Sequence, residues 1–561
     1  MEGIHSPEQP SGRPTYWLTR FVLLRWMGFV YVVAFYVAVR QLVPLVGEHG
    51  LTPAPLFQQE MREYLGAHVE DGQIVRTPAS TIEAFLDQPS LFWFDCSDTM
   101  LRVVPWIGLI FSIALLLGYS NGIVMALLWF FYLSIVQIGQ DWYGYGWEIQ
   151  MSETGFLCIF LCPLLDPRPF PSRPPPIAII WLFRWLIVRI MLGSALIKWR
   201  SDDRLIAVGH SEDIVWQNLS ALFYHFETQP IPNPFSRYFH FLPHAALQFG
   251  VIWTFIVEGI APLFAFWPRW GRYIAGLLII SFQFTLIVSG NLSFFNWLTI
   301  LPAWACFDDR FWRWIMPTWL KSNATEAQLV AKPSLPMTVT AWLAFAVIAF
   351  LSLYPQTFQT RGGDGEIVQY LSNPVLNLVA PQGPNGQDMN RNYDRLHLVN
   401  TYGAFGTVGK ERDVIVFEGT DSATPDNSAD WKEYPYVGSP WDPMRRPPFV
   451  APYQPHLDWQ LWFAAMAGPE QYTWTYNLVW KLLHNDADAL SLFAGNPFPD
   501  HPPKYVRAVL YIYHFAPLND PQHRYWIRDR QFLWLPVYSV DSSGLLDVLK
   551  QEGWLETADK P

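Results

Sequence analysis

The chain has 561 residues, of which 51% are hydrophobic, 17% aromatic and only 15% charged, with a formal net charge of −11. Soluble globular chains carry about 25% charged residues, so this balance excludes disordered, collagen-like and coiled-coil chains and does not fit an ordinary cytosolic protein. A pI near 5.6 leaves no basic stripe for nucleic acid, and a mean hydropathy of +0.12 is too low for membrane helices alone. A membrane part joined to a soluble part is the expectation.

The first long apolar stretch, about residues 26–46, follows Arg13, Arg20 and Arg25 and has no small-x-small cleavage site after it. It reads as an uncleaved signal anchor. Further runs at about 103–118, 121–139, 177–197, 248–267, 273–290 and 337–354 predict membrane helices, because lipid leaves backbone polar groups no other partners. Shorter runs at 151–165 and 292–307 are tilted, re-entrant or complete crossings. The expected fold is therefore a polytopic all-α bundle of seven to nine membrane segments over residues 1–355. Seven and nine are both odd, so the two ends of the chain face opposite sides. With the N-terminus inside, the inner loops carry Lys and Arg at more than twice the density of the outer ones, which orients the bundle.

Beyond Tyr354 the composition changes. Residues 356–396 are rich in Gly, Pro and Asn and read as a connector, and 397–561 as an extracytoplasmic, β-rich soluble domain. Strand-like runs fall at 397–405, 413–420 and 505–515, and helical patterns at about 457–467 and 474–494. In the last strand Val506, Ala508, Leu510, Ile512 and His514 share one face, opposite Tyr505, Arg507, Val509, Tyr511, Tyr513 and Phe515. Both faces should therefore be covered, and a β-sandwich-like domain with a helical insertion is expected. The four cysteines, Cys96, Cys158, Cys162 and Cys306, all precede it, so disulfides are not its framework. Cys158 and Cys162 stand one helical turn apart and suit packing.

Ionisable groups inside membrane helices are costly and are functional candidates by default. Here they are Glu153, Arg184, Arg189 and Glu258, with Lys198 at a helix end. Buried ion pairs that fix helix register are the plainer reading, and a substrate or proton site the sharper one. Residues 141–148, DWYGYGWE, suit an interfacial aromatic belt. No metal site, nucleotide loop or catalytic motif is visible, and no cofactor is expected. Of the sequons at Asn218, Asn291 and Asn323, only Asn218 falls in a sizeable outer loop, making it the glycosylation candidate.

Several phrases in fixed order resemble the lipase maturation factor family. They include SETGFLCIFLCP at 152–163, HFETQPIPNP at 225–234, NTYGAFG at 400–406 and HLDWQLWFAA at 456–465. The resemblance implies a non-enzymatic, chaperone-like protein of the endoplasmic reticulum membrane with a lumenal C-terminal domain. Its partners would be membrane lipid and secreted, lipoprotein-lipase-like, homodimeric lipases, which it helps to fold and assemble. Bacterial members imply an inner-membrane protein with a periplasmic domain. More distantly, the N-terminal half resembles the horizontally transferred transmembrane domains that include the vitamin K-dependent carboxylase; no catalytic residue is carried over. Within the soluble domain, Trp441, Arg445, Arg446, Tyr453, His456, Asp458, Trp459 and Trp462 concentrate the residue types that dominate binding hot spots. That stretch is either a rigid client-binding platform or the surface by which the domain docks on its own membrane loops. The rival function is a membrane enzyme or lipid-handling protein built on the intramembrane charges.

Overall fold

A computed structural model describes residues 14–70, 73–207, 210–357, 382–383, 386–387 and 390–555. Most of the expected connector lies outside the described residues. Among the described residues six helices are long and apolar enough to cross a membrane: α1 (Trp17–Val46), α2 (Asp98–Leu117), α5 (Ile177–Ala207), α6 (His244–Phe255, continued in tighter and wider turns to Phe266), α7 (Arg269–Ser289) and α9 (Leu335–Thr357, with the apolar span ending at Ser352). Three more lie among them: α3 (Gly122–Ile138), α4 (Gly146–Ile159) and α8 (Phe295–Ala303). The protein is a multi-pass membrane protein.

Burial ranks the helices. The apolar window of α5 is 78% buried and that of α9 only 22%, so α5 is the central post and α9 lies at the periphery. Close packing of α1 on α2 passes through Gly28, whose missing Cβ leaves room for the backbone of Leu115 and Leu116.

The segments that follow α4 and α8 reach the ends of longer neighbours. Beyond α4 the chain reaches the α2–α3 turn, where Gly122 donates its N–H to the Pro163 carbonyl at 2.9 Å. Beyond α8 it reaches the start of α7, where Asp308 lies 3.0 Å from Arg269 Nε, and the start of α1, where Asp309 accepts the N–H of Leu18 at 2.7 Å. At that same end Arg20 donates to the Arg173 carbonyl at 2.7 Å and Arg173 to the Lys332 carbonyl at 2.9 Å, so Arg20, Arg173, Arg269 and Lys332 gather in a basic rim at this end of the bundle.

At the opposite end sit the C-terminal residues. Strands β1 (Arg412–Thr420), β2 (Lys432–Glu433), β3 (Tyr505–Phe515) and β4 (Trp526–Tyr538) form one antiparallel sheet in the order β2-β1-β3-β4, with Val416 opposite Val509. Helices α10 (His456–Ala465) and α11 (Trp474–Leu483) cover one face, and α12 (Ser543–Gln551) packs on α11. Val506, Ala508 and Leu510 of β3 share an apolar core with Leu457, Leu461, Leu478 and Leu482. On the other face Val414, Val416, Tyr511, Tyr513 and Phe515 close over Trp526.

The described residues thus form no sandwich: helices take the place of a second sheet. Alternation in a strand requires that a face be covered without specifying by what. Residues 397–405, expected as a strand, form no ladder beyond one isolated Asn392–Asn400 bridge. Their side chains are directed into the helical bundle instead.

Candidate functional site

The described parts meet in a joint built from buried polar side chains. Gln41, near the end of α1, donates from Nε2 to the Gln454 carbonyl at 2.6 Å and to the Tyr453 hydroxyl at 2.8 Å, while its Oε1 accepts the His456 N–H at 3.0 Å. Asn291, just past α7, mirrors it from the other side of the joint. Its Nδ2 donates to the Pro448 carbonyl at 2.8 Å and to the Pro232 carbonyl at 3.1 Å, and its Oδ1 accepts the N–H groups of Val450 and Ala451. Gln454 Oε1 accepts from Trp147 Nε1 at 3.0 Å and from Ser293 Oγ at 3.2 Å. Each bond satisfies a group that would otherwise be buried without water, which makes the joint specific as well as tight.

The aromatic stretch around α10 lies largely inside this joint. Trp459 is buried and meets Trp147 edge-on with ring centroids 4.9 Å apart; Trp462 donates its indole N–H to the Thr228 carbonyl at 2.9 Å. His456 is fully buried against the Tyr143 ring, and that burial pushes its imidazole down to about 3. Asp458 accepts the N–H groups of Gly438 and Ser439 at 2.7 and 2.6 Å; burial raises its carboxyl above the ordinary range despite those bonds. Arg445 donates to the carbonyls of Tyr436 and Val437, and the Trp441 carbonyl accepts from Tyr513 and Arg528. Only the rim of the stretch faces outward, through Met444, Arg446 and Phe449. The aromatic segment at 141–148, suited by composition to a bilayer interface, packs here against α10, with Trp142, Tyr143 and Glu148 all buried.

Four of the five candidate intramembrane charges are paired. Arg189 of α5 bonds Glu153 of α4, and the same carboxylate accepts from the Tyr402 hydroxyl at 2.6 Å and from Asn400 Nδ2 at 3.2 Å. NTYGAFG is therefore a plug. Asn400 and Tyr402 complete an ion pair inside the bundle, and a Cβ at Gly193 of α5 would collide with the Tyr402 carbonyl. Arg184 reaches no carboxylate; it donates to the Ala305 carbonyl and the Tyr16 hydroxyl, both at 2.8 Å. Glu258 pairs with Lys198, at 2.8 Å. Of these groups, Lys198 and Glu258 line a cavity between α6 and α7 that does not include Glu153, Arg184 or Arg189.

Asn218 is exposed in its loop, with its amide donating to the Ile214 carbonyl at 2.6 Å; Asn291 is buried in the joint, and Asn323 is exposed on a helix near the basic rim. All four cysteines are unpaired. Among the described residues one group has metal-like proximity, His210, Glu212 and Asp213, and it is exposed, with Asp213 also 3.5 Å from Lys410. Gln41, Asn291, Asn400 and Tyr402 were missed as joint residues. A polar side chain at the end of an apolar run was the available signal for the first two.

A helical membrane bundle with a strand-bearing region locked onto the end opposite its basic rim defines the class of protein. Two family models match: "Lipase maturation factor transmembrane domain" over residues 18–314 and "Lipase maturation factor C-terminal domain" over residues 398–536. The chain is 38% identical to human lipase maturation factor 1 across 97% of its own length and 93% of that protein, and 39% identical to the mouse protein across 96% and 90%. Lipase maturation factor 2 of Xenopus laevis is 27% identical over 97% of this chain and 85% of that one. No solved structure matches. The chain belongs to the lipase maturation factor family.

Proposed function

We propose that the protein is a non-catalytic, membrane-tethered maturation factor that helps secreted lipases fold and assemble. The observation that carries this reading is the correspondence with lipase maturation factor 1 over nearly the whole of both chains. In a eukaryote it works from the endoplasmic reticulum membrane, with the N-terminus cytoplasmic and residues 397–561 lumenal; in a bacterium, from the inner membrane with those residues periplasmic. The basic rim supports this orientation, because it lies opposite the joint and positive charge is retained on the cytoplasmic side. The count is nine crossings, supported by the return of the chain to the α2–α3 turn after α4 and to the start of α7 after α8. With it goes a division into residues 1–355, 356–396 and 397–561, suggested by the change of composition along the chain.

Clients are lipoprotein-lipase-like homodimers, engaged through the outward rim of the aromatic stretch, where Met444, Arg446 and Phe449 are exposed. Asn218 carries a glycan in that compartment. Co-expression with a secreted lipase in cells lacking their own factor tests the reading: lipase activity per unit of lipase protein should rise. Unchanged specific activity across several lipases would overturn it.

A further inference from the structure

Between α6 and α7, beneath the short helix Ala221–Thr228, lies a cavity of about 180 Å³. Two of the phrases that carry the family resemblance meet in it, through His225 and Phe226 of HFETQP and Ala404 and Phe405 of NTYGAFG. Its mouth is formed by Leu242, Ala246 and Thr285, all exposed. Phe249 on α6 and Val288 on α7 flank that mouth and also point outward, 62% and 44% exposed. Both helices are apolar enough to sit in a bilayer, so a mouth at their outer ends borders lipid near the bilayer surface.

The far end of the cavity is polar. Lys198 Nζ lies 3.0 and 2.8 Å from the two oxygens of Glu258 and 3.2 Å from the Ser194 carbonyl, so its donors are in use. Glu258 is delivered by a π-helical turn, Ile256–Ile260, in the middle of an otherwise membrane-length helix. Such turns cost helix regularity and concentrate at functional sites. His225 is 6% exposed and packs edge-on to Phe405, yet its imidazole has no hydrogen-bond partner among the described residues. Burial and the nearby Lys198 push that imidazole down to about 4, so it is neutral and offers one N–H and one lone pair.

Charge selects the class of ligand. Lysine and glutamate cancel, and the histidine is neutral, so the polar end has no net charge. An anionic head group would be desolvated against Glu258, and a cationic one against Lys198, each at a cost the apolar walls do not offset. A hydroxyl meets no such penalty, because it both donates to and accepts from groups of this kind.

We propose that this cavity binds an uncharged, hydroxyl-bearing lipid of the acylglycerol class, which enters from the bilayer chain-last. Its chain lies along the apolar wall that includes Phe239 and Phe282, and its hydroxyl end sits at His225 and the Lys198–Glu258 pair. The site goes beyond lipase maturation and does not depend on it.

The test is photolabelling of the full chain in lipid nanodiscs with a monoacylglycerol carrying a diazirine and an alkyne on its acyl chain. Labelled peptides should map to α6 and α7 around Leu247–Trp253 and Phe282–Leu286. Labelling should be competed by excess monooleoylglycerol and fall by about fivefold or more in Ala246→Trp, which fills the mouth from an exposed position. Thr285→Trp, across the same mouth, is the second variant, and the melting temperature of each shows that it is folded. Fatty-acid and lysophosphatidate probes of the same chain length should label the cavity about fivefold less. Labelling confined to the outside of the bundle, labelling that persists in folded mouth variants, or cavity labelling by the charged probes at or above the monoacylglycerol level would each overturn the proposal.

Discussion

Helix α5 carries two buried ion pairs nine residues apart, and they stand in opposite circumstances. Arg189 and Glu153 are packed on every side, and the residual hydrogen-bonding capacity of the carboxylate is filled by Tyr402 and Asn400 from the C-terminal part of the chain. Lys198 and Glu258 carry the same chemistry, but they face a cavity that opens toward lipid. Charge type and depth do not distinguish the two pairs; what fills the remaining space does. The first pair ties two parts of the molecule together, and the second leaves room for a ligand.

Breaking each pair separates these roles. Glu153→Gln leaves Arg189 buried without its counter-ion and strips Tyr402 and Asn400 of a charged acceptor, so a loss of about 3–5 kcal/mol is expected. Thermal unfolding in detergent should show this as a markedly lower midpoint than for Glu258→Gln, where Lys198 borders a cavity and keeps the Ser194 carbonyl as an acceptor. Equal losses would mean that the surroundings of the two pairs do not matter.

Next in size is the joint itself. Asn291→Ala removes partners from two N–H groups and two carbonyls, and a buried group left unpaired costs about 1–3 kcal/mol. Amide hydrogen exchange of Val450 and Ala451 should accelerate while that of the β1–β3 ladder is unchanged. Acceleration in both would show that joint and sheet open as one unit.

A smaller effect is conditional on pH. His456 is held at about 3, below its ordinary value near 6.5, so the unfolded chain takes up a proton that the folded one refuses. Its contribution is complete above pH 6.5 and is lost as pH falls toward 3. Between pH 7 and 5 that loss is about 2 kcal/mol, and His456→Gln should flatten the measured stability–pH slope by that amount. Comparison with the variant isolates the histidine from Asp458, whose raised carboxyl acts in the opposite sense. The smallest stability effect belongs to Phe449→Ala at the exposed rim, expected within about 0.5 kcal/mol. Lipase specific activity in co-expression should nevertheless fall with this variant; if stability and lipase activity are both unmoved, the rim is not the client contact.

Much of this architecture was legible in the chain. Six of the seven long apolar runs became membrane-length helices because a bilayer imposes its thickness on sequence, the run at 121–139 forming the shorter α3, and strict alternation marked β3 because a two-sided sheet imposes its period. Abundant Trp and Arg in the stretch around α10 suggested a binding platform, but most of these side chains are spent inside the protein. Composition reports that a surface is adhesive without saying whether its partner is another molecule or the same chain.

The amino-acid sequence by itself determined the membrane bundle, strands β1 and β3 and the family, while the longest strand, β4, carried no expectation. Tertiary structure alone decided that Glu153 answers to Arg189 and not Arg184, that helices close the face where a second sheet was expected, and that one ion pair is sealed while the other borders open space. The reason is physical: periodicity and hydropathy are local and survive in one dimension. Pairing of buried charges and the shape of a void depend on residues hundreds of positions apart, brought together only by packing.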